Sequence, residues 1–220
     1  GVHFRLGTGV RALRIGDEGV TGVVLDDGTR LDAPRVVVAA GAWSGHLGGL
    51  PRPLPVRPVR GQMVALRGKD GLLTRIVETA DAYLIPRPGG EIVVGSTMEE
   101  AGFRKETTAR GILGLLEGAI EAVPEMESAA VERVWAGLRP GTPDDLPVLG
   151  PDPEVRGLLY ATGHFRNGLL LAPITARIVE DLVLEEEAEL DIAPFRPGRF
   201  SDRARSEATA GAPGWGRDGP

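Results

Sequence analysis

The sequence predicts an α/β domain interrupted by an α+β insertion, and three observations carry that prediction. Two short runs, Arg35-Val-Val-Val-Ala-Ala-Gly41 and Gly157-Leu-Leu-Tyr-Ala-Thr162, are apolar on both faces, as parallel strands covered by helices are. A long stretch of strand-like sequence with a single amphipathic helix separates them. The second run then passes through a turn rich in Gly and Asn into a helical pattern.

Each element follows from its residues. Val10–Ile15 and Gly19–Leu25 read as strands, Asp26-Asp-Gly28 as a turn, and Thr29–Asp32 as the return strand of an antiparallel meander. The run at 35–41 reads as a central parallel strand. Prolines 51, 53, 55 and 58 mark an extended crossover. Strands follow at Gln62–Leu66, Ala82–Pro86 and Glu91–Gly95, the last two joined by Arg87-Pro-Gly-Gly90. Ile112, Leu115, Leu116, Ala119, Ile120 and Val123 share one helical face, with Thr107 or Thr108 as N-cap and Pro124 as the stop. Val131–Leu138 is a strand leading to Arg139. After Gly163–Gly168 comes a helix with Leu171, Ile174, Ile178 and Leu182 on one face and Pro173 in its first turn. Acid at Glu185–Glu187 opposes the helix dipole, so fraying is expected there. Four segments result: residues 1–50 and 146–192 in one domain, 51–145 in a second, and 193–220 as a flexible tail. Gly, Pro, Ala, Ser and charged residues dominate that tail from about Ser201.

Composition narrows the function. The 220 residues are 42% hydrophobic and 25% charged, ordinary for a globular protein. A net charge of −6 argues against nucleic acid as the main partner. Lys69 and Lys105 are the only lysines, and the arginines are scattered. With no cysteine, disulfides, thiol chemistry and Cys-linked cofactors are excluded. His3, His46 and His164 lack metal-ligand spacing, so no metal is expected. No run approaches the length of a membrane span and no signal peptide is visible, which makes the cytoplasm the default. The chain opens Gly-Val-His-Phe without methionine, as a processed protein, a trimmed chain or the back part of a longer chain would.

Two arginines stand out, each placed by the sequence in a glycine-punctuated turn after an apolar strand. They are Arg139 in Trp135-Ala-Gly-Leu-Arg-Pro-Gly-Thr142 and Arg166 in Gly163-His-Phe-Arg-Asn-Gly168. A guanidinium fork suits a carboxylate held in two-point contact, although a salt bridge to Asp or Glu is the plainer reading for either alone. The segment 163–170 also offers a helix start with backbone N–H groups. Gly7-Thr-Gly-Val-Arg-Ala12 matches the dinucleotide-binding pattern G-x-G-x-x-A, but the residues after it alternate as a strand does, so the match is rejected.

The strings Val37-Val-Ala-Ala-Gly-Ala-Trp-Ser44, Trp135–Thr142, Leu146-Pro-Val-Leu-Gly150 and Gly163–Pro173 resemble the D-amino-acid oxidase family of flavoproteins, nearest its glycine-oxidising branch. The resemblance runs to about Asp191. It implies part of a Rossmann-like FAD-binding domain plus a mixed, largely antiparallel substrate-binding sheet. The GxGxxG unit with which that family opens is absent here. It further implies FAD as cofactor and a small amino acid as substrate. Arg139, Arg166, Tyr83 and Met98 would bind that substrate, with no certain catalytic side chain. Val10 and His164, Phe165, Arg166, Asn167, Gly168, Leu169 and Leu170 would touch FAD. Where the family often has histidine two positions before the tyrosine, this chain has Asp81. The implied reaction is oxidative deamination of glycine or a relative, linked to thiamine thiazole synthesis. Oxygen would be the electron acceptor, and a homo-oligomer is open. A D-amino-acid dehydrogenase, a sarcosine-oxidase-like enzyme and an inactive fragment are the alternatives.

Overall fold

Alternation sets the opening fold. In β1 (Val10–Gly16) and β2 (Gly19–Leu25), Leu13, Val20 and Leu25 point inward, and the strands pair antiparallel with Leu13 opposite Val23. β3 (Arg30–Asp32) adds to β2 to complete the meander. A strand comes directly after Gly9, so the rejected G-x-G-x-x-A string has no helix behind it. The computed structural model describes residues 1–80, 82–186 and 190–200. The expectations for Asp81, Glu187 and the tail from Ser201 on lie outside the described residues. The chain divides into two units, one made of residues 1–56 and the chain from 141 on, the other of residues 57–140.

The first unit carries a second sheet of β4 (Val36–Val38), β10 (Val148–Pro151) and β11 (Leu158–Thr162), in the order β10-β11-β4. β4 runs parallel to β11, with Val36 opposite Leu158 and Val38 opposite Tyr160. Among the described residues β4 is an edge of this sheet, not the central strand its apolar run suggests. Apolarity on both faces reports what covers a strand, not how many neighbours flank it. Leu13, Val38, Leu158 and Tyr160 share one core. The Tyr160 hydroxyl donates to Asp152 at 3.0 Å, and burial together with that carboxylate pushes the phenol's pKa up. Helix α2 (Gly168–Leu184) packs Ile174, Ile178 and Leu182 against Leu149 and Ile192, and ends on Glu185 in the left-handed region, paired with Arg35. Residues 193–200, expected within the tail, are built into this unit instead. Ala193–Phe195 forms a 3-10 turn, and Arg199 grips Asp144 through bonds of 2.8 and 3.1 Å.

The second unit is a five-stranded sheet in the order β6-β7-β8-β5-β9. Its strands are β5 (Arg57–Arg67), β6 (Val77–Glu78), β7 (Tyr83–Pro86), β8 (Glu91–Gly95) and β9 (Ala130–Gly141). β5 begins earlier than expected and takes in Pro58, and the two-residue β6 leaves no sequence signal. Val64, Leu84, Ile92 and Val94 lie on one face beneath helix α1 (Ala109–Ala122), which contributes Leu115 and Ala119. Thr108 caps α1, its side chain accepting from the Gly111 N–H at 3.2 Å.

Leu84 has no exposed surface. Leu84→Ala should therefore cost about 2–5 kcal/mol, from lost transfer energy plus the cavity left under α1. Denaturant unfolding checks this, and a cost below about 1 kcal/mol would place the core elsewhere.

Candidate functional site

In the second unit, the pleat sorts side chains into two faces. Val64, Leu84 and Val94 point to α1, so their neighbours Tyr83, Gly95 and Met63 point the other way. Gly95 sits opposite Met63 on β5 and Tyr83 on β7, and Gly61 precedes Met63 by one pleat. Gly61, Met63, Tyr83 and Gly95 therefore share the face away from α1.

Both glycines on that face are covered by a candidate side chain. A Cβ at Gly95 would lie 2.7 Å from the Tyr83 hydroxyl, so the phenol ring lies over bare backbone. A Cβ at Gly61 would lie 2.2 Å from Nη1 of Arg139, so the guanidinium does the same one strand further on. Tyr83 and Arg139 come from β7 and β9, the strands flanking the β8–β5 pair, and stand over a glycine floor on one face. Arg139 Nη1 donates to the Thr97 carbonyl at 3.1 Å, and Nη2 donates to Ser96 Oγ. Arg139 does not follow the strand in a turn, as its flanking glycines suggest. β9 runs through it to Gly141, and the first five residues of that strand are exposed. Met98 follows the same segment and is 61% exposed, so it is not a core residue.

Behind this segment lies a buried polar network that the sequence did not announce. Gln62, fully buried, donates to Glu99 at 2.7 Å and accepts from the Thr108 N–H at 2.7 Å. Thr97 Oγ1 accepts from the Gln62 N–H at 2.9 Å and donates to Glu99. Glu99 also accepts from Arg60. Burial raises the Glu99 pKa, but the bonds from Thr97, Arg60 and Gln62 outweigh it and hold the carboxyl below its usual range. Gln62 is separated from Thr97 and Glu99 by more than thirty positions in the chain, a distance at which spacing carries no signal.

In the first unit, the residues expected to touch FAD fall in two places. Val10 lines an apolar groove of about 480 Å³ with Val38, Ala40, Trp43 and His46. The segment 163–170 makes the turn into α2, with Phe165 at φ 49° and Asn167 in the N-cap position without a side-chain cap. The N–H groups of Gly168, Leu169 and Leu170 thus lack both an intrahelical acceptor and a cap from Asn167. Leu169 and Leu170 are 93% and 78% exposed. His164 is half-buried and bonds to Thr175 Oγ1 at 3.0 Å, and burial lowers its pKa. Arg166 is exposed and forms no ion pair among the described residues. No group of acidic or histidine side chains among the described residues could hold a metal ion, and no described helix is long and apolar enough to cross a membrane.

Comparison with known proteins assigns the chain. The family described as FAD dependent oxidoreductase matches residues 1–182. Hydrogen cyanide synthase subunit HcnC of Pseudomonas aeruginosa is 42% identical over 212 residues, 96% of this chain and 51% of that protein. Glycine oxidase of Pseudomonas putida is 46% identical over 179 residues, 81% of this chain and 49% of that protein. The crystal structure of glycine oxidase from Geobacillus kaustophilus matches with a TM-score of 0.82 and 38% identity, covering 87% of this chain and 52% of that one. The chain spans about half the length of the curated relatives it matches. With most of its residues inside the family's match, the chain belongs to the FAD dependent oxidoreductase family.

Proposed function

We propose that the protein carrying this chain oxidises glycine or a related small amino acid with FAD. The observation that carries the reading is the pairing of Arg139 and Tyr83 over Gly61 and Gly95 on one face of the sheet. A planar fork of donors beside a phenol hydroxyl suits a carboxylate in two-point contact. Arg139 binds the substrate carboxylate, Tyr83 donates to the same group, and Met98 completes the surroundings. Holding the carboxylate fixes the direction of the Cα–H bond, a positioning contribution that needs no side-chain base.

The residues present fit FAD on two observations. The groove at Val10 offers an apolar surface to an aromatic ring system, with Trp43 48% exposed in its lining. The uncapped start of α2 offers backbone donors to negative charge, and its exposed leucines suit a hydrophobic ring edge. FAD, when bound, supplies the two-electron acceptor chemistry, passing the electrons to oxygen as hydrogen peroxide. The chain's own contribution is orientation and charge complementarity. Water hydrolyses the resulting imine to an α-keto or aldehyde acid and ammonia.

A second reading comes from the relative named as a hydrogen cyanide synthase subunit, which is about as similar as the glycine oxidase. Product analysis separates the two: glyoxylate with ammonia supports the oxidase reading, cyanide the other. Delivery of the oxidised product to thiamine thiazole synthesis is the finer part of the proposal, and a thiazole requirement in a deletion strain tests it.

In the full-length, flavin-loaded protein, Arg139→Ala should raise the amino-acid KM by the roughly 2–5 kcal/mol typical of a lost buried charge partner, with a smaller effect on kcat. Arg139→Lys should fall between, since it keeps the charge but not the fork. Unchanged amino-acid kinetics in the alanine variant would defeat the assignment. His164 gives a second expectation. Its folded pKa lies below the unfolded value of about 6.5, so the stability it contributes is complete above that pH. That stability is lost as pH falls through 6.5 toward the folded value. Thermal melts from pH 8 to 5 should show a smaller acid loss in His164→Gln than in the parent, and parallel curves would refute it.

A further inference from the structure

We propose that Gly61 and Ser96 are positioning residues that fix the plane of the Arg139 guanidinium and so select carboxylate-bearing amines. This deepens the reading of Arg139 as the carboxylate anchor and rests on it. An arginine side chain has many rotamers, so a fork that must meet a carboxylate in one orientation needs something to hold it.

Two features do so. From below, the guanidinium lies on the bare backbone of Gly61: a Cβ there would come within 2.2 Å of Nη1, 2.5 Å of Nη2 and 2.6 Å of Cζ. All three atoms belong to the guanidinium, so this group fills the space a side chain at residue 61 would take. From the side, Ser96 Oγ accepts from Nη2 and the Thr97 carbonyl accepts from Nη1, which sets the rotation within that plane. The seat is itself anchored. Thr97 is locked by its hydroxyl to the Gln62 N–H and to Glu99, and Gln62 is tied to the Thr108 cap of α1. A chain of hydrogen bonds thus runs from the start of the helix to the atoms that orient Arg139. The atoms a Cβ at residue 61 would meet are the far end of a flexible side chain. Gly61→Ala is therefore absorbed by moving the guanidinium, not by disturbing the strand.

The test uses the full-length, flavin-loaded protein, with KM and kcat for glycine and the Kd of unreactive glycolate read from flavin absorbance. Ser96→Ala should raise the KM and the glycolate Kd roughly three- to tenfold, the net worth of one ordinary hydrogen bond, with kcat changed less. Ser96→Thr, which keeps the hydroxyl, should restore most of that loss. Gly61→Ala should raise both constants at least as much, with its melting temperature and flavin spectrum unchanged. In an Arg139→Ala background neither substitution should have any further effect, because a positioning residue acts only through the group it positions. Unchanged constants in both single variants, while Arg139→Ala raises them, would overturn the positioning role and leave the anchor reading intact. The same fold-change in the Arg139→Ala background would also overturn it, by exposing a general structural role. An Arg139→Ala variant with unaltered KM and Kd would remove the anchor reading and this one together.

Discussion

The proposed carboxylate site depends on one constraint, a guanidinium seated where the backbone has no side chain. Arg139 leaves β9 and crosses to Gly61 on the neighbouring strand, where any larger residue would occupy the same space. The strand order does the rest. β7 and β9 are separated by β8 and β5, and those inner strands present Gly95 and Gly61 on the face turned from α1. Two small residues therefore make room for two large polar ones. The opposite face has the contrary logic, with Val64, Leu84 and Val94 closed tightly beneath α1. One sheet thus serves as core on one side and carries Arg139 and Tyr83 on the other, and the period of two along each strand makes both compatible.

The other unit offers a different kind of recognition. Its sheet and meander leave an apolar groove by Val10, and its helix α2 begins with uncapped N–H groups beside two exposed leucines. Exposed leucines and an apolar groove are unfavourable in water, whereas the helix-start N–H groups are satisfied by it and favour negative charge. In the proposed function the side-chain fork would serve the substrate and the backbone donors the cofactor.

Much of this architecture is legible in the sequence. The meander, the capped helix and the two all-apolar runs follow from periodicity and turn chemistry, and the false G-x-G-x-x-A string betrays itself by the alternation, not helix, behind it. Other features are not legible. The glycines around Arg139 suggest a turn, yet β9 continues through them, because glycine permits a turn without requiring one. The apolar run of β4 suggests a central strand, but it is an edge among the described residues, since hydrophobicity cannot count neighbours. The segment 193–200 looks like tail but is held by Arg199 on Asp144, a pairing across 55 positions that composition does not reveal. Motif likeness singles out Tyr83, Met98 and Arg139 as site candidates. It misses Gly61, Ser96, Gln62 and Glu99, because contacts between distant strands follow from register alone.

Everything proposed for the site requires that Arg139 and Tyr83 together receive a carboxylate. The most direct measurement is a crystal structure of the full-length, flavin-loaded protein with glycolate bound. Both oxygens of its carboxylate should sit on the Arg139 fork, with the Tyr83 hydroxyl donating to one of them. A carboxylate bound elsewhere, with neither oxygen on the Arg139 fork, would contradict this.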